Sequence, residues 1–201
     1  MHLQVIVEAL AEGIKLADSA EPIAVSTRTQ VAYKPGIGPH TESRTIGLAL
    51  DALQGARPFD YETEVPYRDG SRARCDLVLT APERWAVEMK MLRLMGDNGK
   101  PNDNMLMHIL SPYPAHRSAL TDFVKLRGSG LSGRKAILVF GYDHPALPMD
   151  PAIDALDLLA ESCVQIVDRA VAQFDGLIHP TFTHGRVFGW EIGARDRDPA
   201  S

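Results

Sequence analysis

Apolar residues recur at helical spacing in several segments of the chain. The first stripe consists of Leu3, Ile6, Val7, Leu10, Ile14 and Ala17. This spacing predicts an amphipathic helix at the beginning of the chain. A similar stripe predicts a second helix over residues 41–54, ending at Gly55, after a loop at 33–40 that is rich in proline and glycine.

Two further helices are predicted in the second half of the chain. Residues 104–126 have helical character that is interrupted near Pro112 and Pro114. A long helix is predicted from Asp150-Pro151, which suit an N-cap and a first turn, to about Phe174, before Gly176.

Alternating or continuous apolar runs predict five strands between these helices. The predicted strands cover residues 61–67, 71–79, 84–92, 136–142 and 183–192. Arg68-Asp69-Gly70 has the composition of a hairpin turn between the first two strands. Hairpins mixed with helical crossovers predict an α/β fold, with a mixed β-sheet flanked by helices.

Chain length favours one domain over residues 1–201, since 201 residues suffice for one well-buried core. Within it we expect an N-terminal helical extension at 1–35. A core at 41–142 follows, and a C-terminal helix and strand at 143–201 complete the domain.

Composition narrows the classes of protein to be considered. Hydrophobic residues make up 45% and charged residues 23% of the chain, which is typical of a soluble globular protein. A net charge of −5 argues against indiscriminate coating of nucleic acid, although a local basic cleft remains compatible with it. No stretch approaches the length of a membrane span. Glu8 and Glu12 stand where a signal peptide would be apolar.

The two cysteines agree with this picture. Cys75 and Cys163 both fall in apolar segments, which predicts buried free thiols in a reducing compartment. We therefore expect a cytoplasmic protein without membrane contact.

Residues 75–91, CDLVLTAPERWAVEMKM, carry the candidate chemistry. Side chains alternate along a strand, so Glu88 and Lys90 share one face while the apolar residues between them fill the core on the other. Asp76 lies on the preceding strand, after a short connection. Two carboxylates beside a lysine suit Mg²⁺-assisted phosphoryl chemistry, because Mg²⁺ takes hard oxygen ligands and a lysine can position or activate the attacking water.

A pattern this short also arises by chance, and Glu88 and Lys90 can be solvated on an exposed strand face. The strand context favours the functional interpretation.

Asp76, eleven intervening residues and then Glu88-Met89-Lys90 resemble the PD-(D/E)XK nuclease superfamily, which has the restriction-endonuclease-like fold. The predicted order of elements over 41–142 is similar to the core of that family. The resemblance implies that Asp76, Glu88 and the backbone carbonyl of Met89 hold Mg²⁺, with Mn²⁺ as a possible substitute, and that Lys90 activates or positions water. Cys75 stands where members often have proline.

Two further glutamates are candidates for the same site. Glu42 extends the apolar stripe of the second helix, where a carboxylate is costly unless it is paired or bound to metal. The resemblance implies a glutamate on this helix that points into the site. The alternative is that Glu42 simply interacts with the helix dipole. Glu64 is a reserve candidate. A two-residue turn would pair Thr63 with Asp76 and place Glu64 on the opposite face, and a one-residue change of register would reverse this. We expect Glu64 to be an exposed acid of an edge strand.

Basic residues near the motif and in 115–135 are the candidates for contacts with DNA. They are Arg72, Arg74, Arg93, Lys100, Arg117, Lys125, Arg127, Arg134 and Lys135. The alternative for such a run is a solvated helix face.

The first functional hypothesis is therefore a Mg²⁺-dependent DNA endonuclease, in which a homodimer would suit cleavage of both strands and the N-terminal helix could supply the interface. A partner subunit could contribute sequence recognition. The second hypothesis is a non-catalytic module that binds nucleic acid or protein, with Asp76, Glu88 and Lys90 forming a structural ion pair. A third is a metal hydrolase that uses His179 and His184.

Overall fold

A mixed six-stranded β-sheet with helices on both faces forms the centre of the molecule in the computed structural model, which describes residues 1–54, 56, 58–68 and 72–193. The helices are α1 Leu3–Ser19, α2 Glu42–Ala52, α3 Met107–Leu110, α4 Ala119–Arg127 and α5 Asp150–Cys163. The strands are β1 Asp60–Pro66, β2 Arg74–Ala81, β3 Trp85–Leu92, β4 Arg134–Tyr142, β5 Ile166–Asp175 and β6 His184–Ile192. The α/β class and the mixed sheet predicted from the sequence are confirmed.

The strands lie in the order β1-β2-β3-β4-β6-β5. The central pair, β3 and β4, is parallel, and every other neighbouring pair is antiparallel. A parallel pair requires a crossover, which here contains α3 and α4. The crossover places α4 directly over β3 and β4.

Two apolar clusters cover the two faces of the sheet. On one face, Trp85, Val87 and Met89 of β3 belong to the cluster that includes α1 and α2. On the other face, Ala86 belongs to the cluster that includes α4 and α5. Because β3 is covered on both faces, Glu88 is drawn into a buried environment with only 2% of its surface exposed.

Helix α1 is an integral part of the first layer rather than an N-terminal extension. Leu3, Ile6 and Val7 are at most 1% exposed, and α1 contacts α2, β5 and β6. The apolar stripe that was predicted correctly from the sequence therefore packs in the interior of the molecule. This stripe is therefore not available for the dimer interface that the N-terminal helix could have supplied.

The long helix predicted from Asp150 to about Phe174 is wrong in its second half. Helix α5 ends at Cys163, and residues Ile166–Asp175 form strand β5 at the edge of the sheet, paired with β6. Ala172 and Phe174 are buried, while the residues between and beside them are exposed. This two-residue period places Ala172 and Phe174 in the cluster that contains α1.

The interruption predicted within 104–126 is confirmed. Helix α3 ends at Leu110, a short 3₁₀ turn covers Pro114–His116, and α4 begins after Ser118. The hydroxyl of Ser118 accepts a hydrogen bond from the backbone N–H of Thr121 at 3.2 Å, which caps α4.

Asp69 and Gly70, predicted as the hairpin turn, and Gly55, the predicted end of the second helix, lie outside the described residues. The expected pairing of Thr63 with Asp76 is wrong by one residue, because Thr63 lies opposite Leu77. This register places Glu64, rather than Thr63, at the level of Asp76. Glu64 is an exposed residue of an edge strand, as predicted.

Neither cysteine forms a disulfide. Cys75 is buried, whereas Cys163 is only partly buried, so the prediction of two buried thiols holds for the first cysteine. Burial raises the pKa of the Cys75 thiol to about 11. Among the described residues, no helix combines the length and the apolar character that crossing a membrane requires.

Candidate active site

The candidate site forms where strands β2 and β3 separate. Their pairing runs from Leu79 opposite Trp85 to Leu77 opposite Val87, so the next opposite positions are those of Asp76 and Glu88. Beyond these positions, side-chain carboxylates accept the hydrogen bonds of β3 backbone N–H groups. The N–H of Met89 donates to Asp76 Oδ2 at 2.7 Å. The N–H of Met91 donates in the same way to Glu42 Oε2 at 2.6 Å.

A cleft of about 1340 Å³ opens at this separation. Its walls are the N-terminus of α2, the ends of β2 and β3, the loop after α3 and one face of α4. All four side chains predicted from the sequence to be catalytic, Glu42, Asp76, Glu88 and Lys90, line this cleft. The structure thus brings together residues that are as far as 48 positions apart in the chain, from 42 to 90.

Lys90 pairs with a residue that the sequence analysis did not select. Its Nζ lies 2.9 Å from Asp122 Oδ2 and 3.9 Å from Glu42 Oε1, and it donates to the carbonyl of Met89 at 3.3 Å. Burial disfavours the charge on Lys90, but Asp122 and Glu42 outweigh this effect and raise the pKa of the ammonium above its usual value. Lys90 is therefore a cation at neutral pH.

Glu88 is held by two partners from other elements. The hydroxyl of Tyr67, just after β1, donates to Glu88 Oε1, and Lys125 Nζ of α4 lies 3.3 Å from the same oxygen. Burial and the neighbouring charge of Asp122 raise the pKa of Glu88 to about 7. The carboxyl group therefore exchanges its proton near neutral pH, which is characteristic of functional sites.

Asp122 was missed because it occupies a position that the helical period assigns to the core. It is 2% exposed and lies between Ala119 and Leu126 on the buried face of α4. A carboxylate at helical spacing within an apolar stripe is costly without cationic partners. The same argument that selected Glu42 could have selected Asp122. Its Oδ1 lies 2.9 Å from Lys125 Nζ, so Asp122 joins both lysines of the site.

Burial shifts the pKa values of Glu42 and Asp76 in the same direction as that of Glu88. Desolvation raises the pKa of Glu42 even though Lys90 opposes the shift. It also raises the pKa of Asp76, against the hydrogen bond from the N–H of Met89. We name the cleft cluster as the four carboxyl groups of Glu42, Asp76, Glu88 and Asp122 with the two ammonium groups of Lys90 and Lys125. If all six groups are ionised, the cluster carries an excess of two negative charges.

The donor chemistry of the cluster fits Mg²⁺. That ion is usually held by one or two carboxylates with several waters, and Asp76, Glu88 and the Met89 carbonyl supply hard oxygen donors. Each of these groups already has a partner within the protein. Asp76 accepts from the N–H of Met89, Glu88 contacts Tyr67 and Lys125, and the Met89 carbonyl accepts from Lys90. Within residues 1–54, 56, 58–68 and 72–193, no three acidic, histidine or cysteine side chains are gathered in a way that could hold a metal ion.

Five of the nine basic residues predicted to contact DNA line the cleft. They are Arg72, Arg74, Arg93, Arg117 and Lys125. Arg72, Arg74 and Arg117 are exposed. Arg93 is partly buried and donates from Nη1 to the carbonyls of Gly38, at 2.7 Å, and His40, at 3.1 Å, so it also braces the loop before α2.

The other four basic residues do not line the cleft. Arg134 donates to Glu191 at 2.7 Å and lies 4.1 Å from the ring centroid of Trp85. Lys135 and Arg127 donate to backbone carbonyls. These three side chains stabilise the fold, and a role in binding DNA has no support from their positions. Lys100 lies in an exposed loop.

The C-terminal histidines do not form a shared site. His179 is 1% exposed, and its ring stacks on Phe182 with a centroid distance of 4.8 Å. His184 is exposed at the start of β6. The hypothesis of a hydrolase that uses these two residues gains no support from this arrangement.

Comparison of the chain with protein-family models, with curated proteins and with solved structures finds no match.

Proposed function

We propose that this protein is a Mg²⁺-dependent phosphodiesterase that cleaves DNA, with a restriction-endonuclease-like arrangement of its core. The observation that carries the proposal is the geometry at the separation of β2 and β3. Asp76 and Glu88 occupy opposite positions there, and the charged Lys90 projects into the same open cleft.

Asp76, Glu88 and the carbonyl of Met89 are the groups that would hold Mg²⁺, with Mn²⁺ as a possible substitute. When bound, the ion supplies Lewis-acid stabilisation of phosphate charge and makes water more acidic. The protein's own groups orient the reaction. Lys90 is kept protonated by Asp122 at 2.9 Å, so it positions the attacking water and stabilises charge on phosphate rather than accepting a proton.

Glu42 complements Lys90 in this scheme. Its Oε2 is fixed by the N–H of Met91, while Oε1 lies 3.9 Å from Lys90 Nζ. The burial-raised pKa of Glu42 makes it a better proton acceptor than an ordinary exposed glutamate. Glu42 therefore takes the proton of the attacking water in the proposed reaction.

The charge distribution around the cleft supports a polyanionic substrate. Arg72, Arg74 and Arg117 are exposed on its walls, although the chain as a whole carries −5. Phosphate groups of a DNA backbone would be attracted to these guanidinium groups and brought to Lys90. Cleavage of both strands would suit two copies related by a twofold axis, with an interface other than the buried face of α1. A partner subunit could add sequence recognition.

A non-catalytic binding module is the second candidate, because Lys90 and Glu88 are both engaged in ion pairs. In such a module, Asp76, Glu88 and Lys90 would form a structural ion pair. Lys90 instead pairs with Asp122, beside a cleft that is open to substrate.

Incubation of the protein with supercoiled and linear DNA in Mg²⁺ or Mn²⁺ tests the proposal. We expect metal-dependent cleavage that Lys90→Ala abolishes and that Lys15→Ala, a matched change on the exposed face of α1 outside the cleft, leaves intact. Equal activity in the wild type and Lys90→Ala would show that the activity does not arise from this site. Binding of DNA without cleavage, across several metals and substrates, would favour the non-catalytic module.

A further inference from the structure

Lys125 occupies a cation position inside the candidate site although it comes from the rim of the cleft. Its Nζ lies 3.3 Å from Glu88 Oε1 and 2.9 Å from Asp122 Oδ1. The ammonium also lies 4.9 Å from the ring centroid of Tyr67, a distance at which cation–π attraction operates. Two carboxylates and an aromatic face thus surround one positive charge.

The two lysines of the cluster differ in how firmly they are fixed. The Lys90 side chain is 15% exposed and rises from the central strand β3, with both sides of that strand covered. The Lys125 side chain is 40% exposed and rises from the last turns of α4. A lysine with a long flexible stem at a surface can reorient without any movement of the backbone. Lys125 is therefore the cation that can leave.

What Lys125 would leave behind matches the requirements of a metal ion. Its departure removes the ammonium group from Glu88 Oε1, which then keeps only the hydrogen bond from the Tyr67 hydroxyl, at the glutamate opposite Asp76 where the strands separate. It also increases the excess negative charge of the cleft cluster, which a divalent cation would compensate. Conversely, while Lys125 stays in contact with Glu88, it repels a second cation at the same oxygen.

Lys125 also lines the cleft where substrate would lie, together with the exposed Arg117 and Arg74. A DNA phosphate in that cleft offers the ammonium a new anionic partner. The lysine can therefore exchange a carboxylate for a phosphate as substrate binds.

We propose that Lys125 is an internal counter-ion that competes with the divalent metal for Glu88 and transfers to a DNA phosphate when substrate binds. Metal binding and DNA binding then reinforce each other. By linkage, the factor by which DNA tightens metal binding equals the factor by which metal tightens DNA binding. This inference rests on the proposed function, since it concerns the metal and the substrate of the same site.

Titration calorimetry with Mn²⁺ tests the inference on the wild type, Lys125→Met and Lys125→Arg. The methionine removes the charge and keeps a long apolar side chain, whereas the arginine keeps the charge. We expect Lys125→Met to bind Mn²⁺ about 10- to 100-fold more tightly than the wild type without DNA, within the usual range of coupling between two sites. Lys125→Arg should remain near the wild type. Circular dichroism checks that each variant is folded.

Addition of a short duplex with phosphorothioate linkages, which resist cleavage, completes the test. The duplex should tighten Mn²⁺ binding to the wild type by a similar factor and have a much smaller effect on Lys125→Met. Equal Mn²⁺ affinities of the wild type and Lys125→Met, at a site that Asp76→Asn removes, would overturn this inference and leave the proposed function in place. Absence of Mn²⁺ binding in every folded protein, with and without the duplex, would overturn both.

Discussion

Two groups of charges connect the sheet to its helices, and they respond to their surroundings in opposite ways. The cleft cluster joins β3 to α4. A second group, which we name the Arg186 cluster, consists of Arg186 on β6, Asp143 after β4 and Asp150 at the start of α5. Acids outnumber bases two to one in both clusters, so the charge ratio does not explain the difference.

The Arg186 cluster stabilises the charges that it contains. Arg186 donates to Asp143 from Nε and Nη2, each at 2.7 Å, and to Asp150 from Nη1 at 2.7 Å and Nη2 at 2.9 Å. These hydrogen bonds lower the pKa of Asp150, whose side chain is 57% exposed. Asp150 thus keeps its charge through hydrogen bonds from the guanidinium group and through contact with water.

The cleft cluster contains carboxyl groups whose charge is disfavoured. Glu88 is 2% exposed, and burial raises its pKa to about 7. Burial also raises the pKa of Glu42 and that of Asp76. Hydrogen bonds like those of Arg186 stabilise a structural ion pair because they favour the charged form of the carboxylates. A metal site instead requires acids that can exchange their present partners for a cation. Burial that raises the pKa of its carboxyl groups therefore distinguishes the candidate site from the Arg186 cluster.

The largest expected effect is the loss of cleavage in Asp76→Asn. The change keeps the side chain's size and removes one of the charges that would hold Mg²⁺, so the rate of DNA cleavage should fall by about a thousandfold or more. The matched variant Asp143→Asn, in the Arg186 cluster, should cleave DNA at the wild-type rate. A similar loss in both variants would remove the functional distinction between the two clusters.

Asp122→Asn tests stability within the cleft cluster. The change removes the close carboxylate partner of the buried Lys90, and breaking a buried pair typically costs 3–5 kcal/mol. Because Asp122 also repels Glu88, we expect a smaller decrease in the free energy of unfolding, about 2–3 kcal/mol, measured by urea denaturation in EDTA. An unchanged free energy would show that Lys90 does not depend on Asp122.

The pH dependence of stability should report the titration of Glu88. Its pKa of about 7 in the folded protein exceeds its ordinary value of 4.5, so the folded state binds the proton more tightly than the unfolded state. The resulting stabilisation is complete below about pH 4.5 and is lost as the pH rises through 7. As the pH is raised from 5 to 8 in EDTA, the free energy of unfolding of the wild type should therefore fall by about 2–3 kcal/mol relative to that of Glu88→Gln.

The pH dependence of the free energy of unfolding in the wild type and in Glu88→Gln can also contradict this prediction. Parallel pH profiles for the wild type and Glu88→Gln would mean that Glu88 titrates near its ordinary value. The environment described for the buried carboxyl group would then be incorrect.

The smallest effect is expected in the Arg186 cluster. Asp150 is more than half exposed, and exposed ion pairs typically contribute less than about 1 kcal/mol. Asp150→Asn should lower the free energy of unfolding by no more than this, in urea at pH 7. A decrease as large as that of Asp122→Asn would show that exposure does not separate the two clusters.

The sequence predicted the strands that carry Asp76, Glu88 and Lys90 better than it predicted the edge strand β5. Asp76, Glu88 and Lys90 were found because a strand with an apolar face carries charges on its other face, a pattern with a two-residue period. The same period is present in β5, but Ile166–Asp175 follows directly on α5 without a glycine or proline between them. Without a local signal to end the helix, its pattern was extended too far.

The pairings that the sequence did not predict depend on contacts between residues far apart in the chain. The pairing of Lys90 with Asp122 depends on the crossover that lays α4 over β3. The position of Glu64 at the level of Asp76 depends on a register that differs by one residue from the predicted one. Arg134 looked like a candidate for binding DNA by its charge alone, and its place beside Glu191 became evident only once β4 was paired with β6.

A crystal structure of the protein soaked in Mn²⁺, with anomalous scattering recorded to locate the metal, tests the central claim most directly. The account predicts a manganese peak between Asp76 and Glu88, with Lys125 moved away from Glu88. A fully soaked crystal without a peak there, in which Glu88 still contacts Tyr67 and Lys125, would contradict a metal-dependent active site in this cleft.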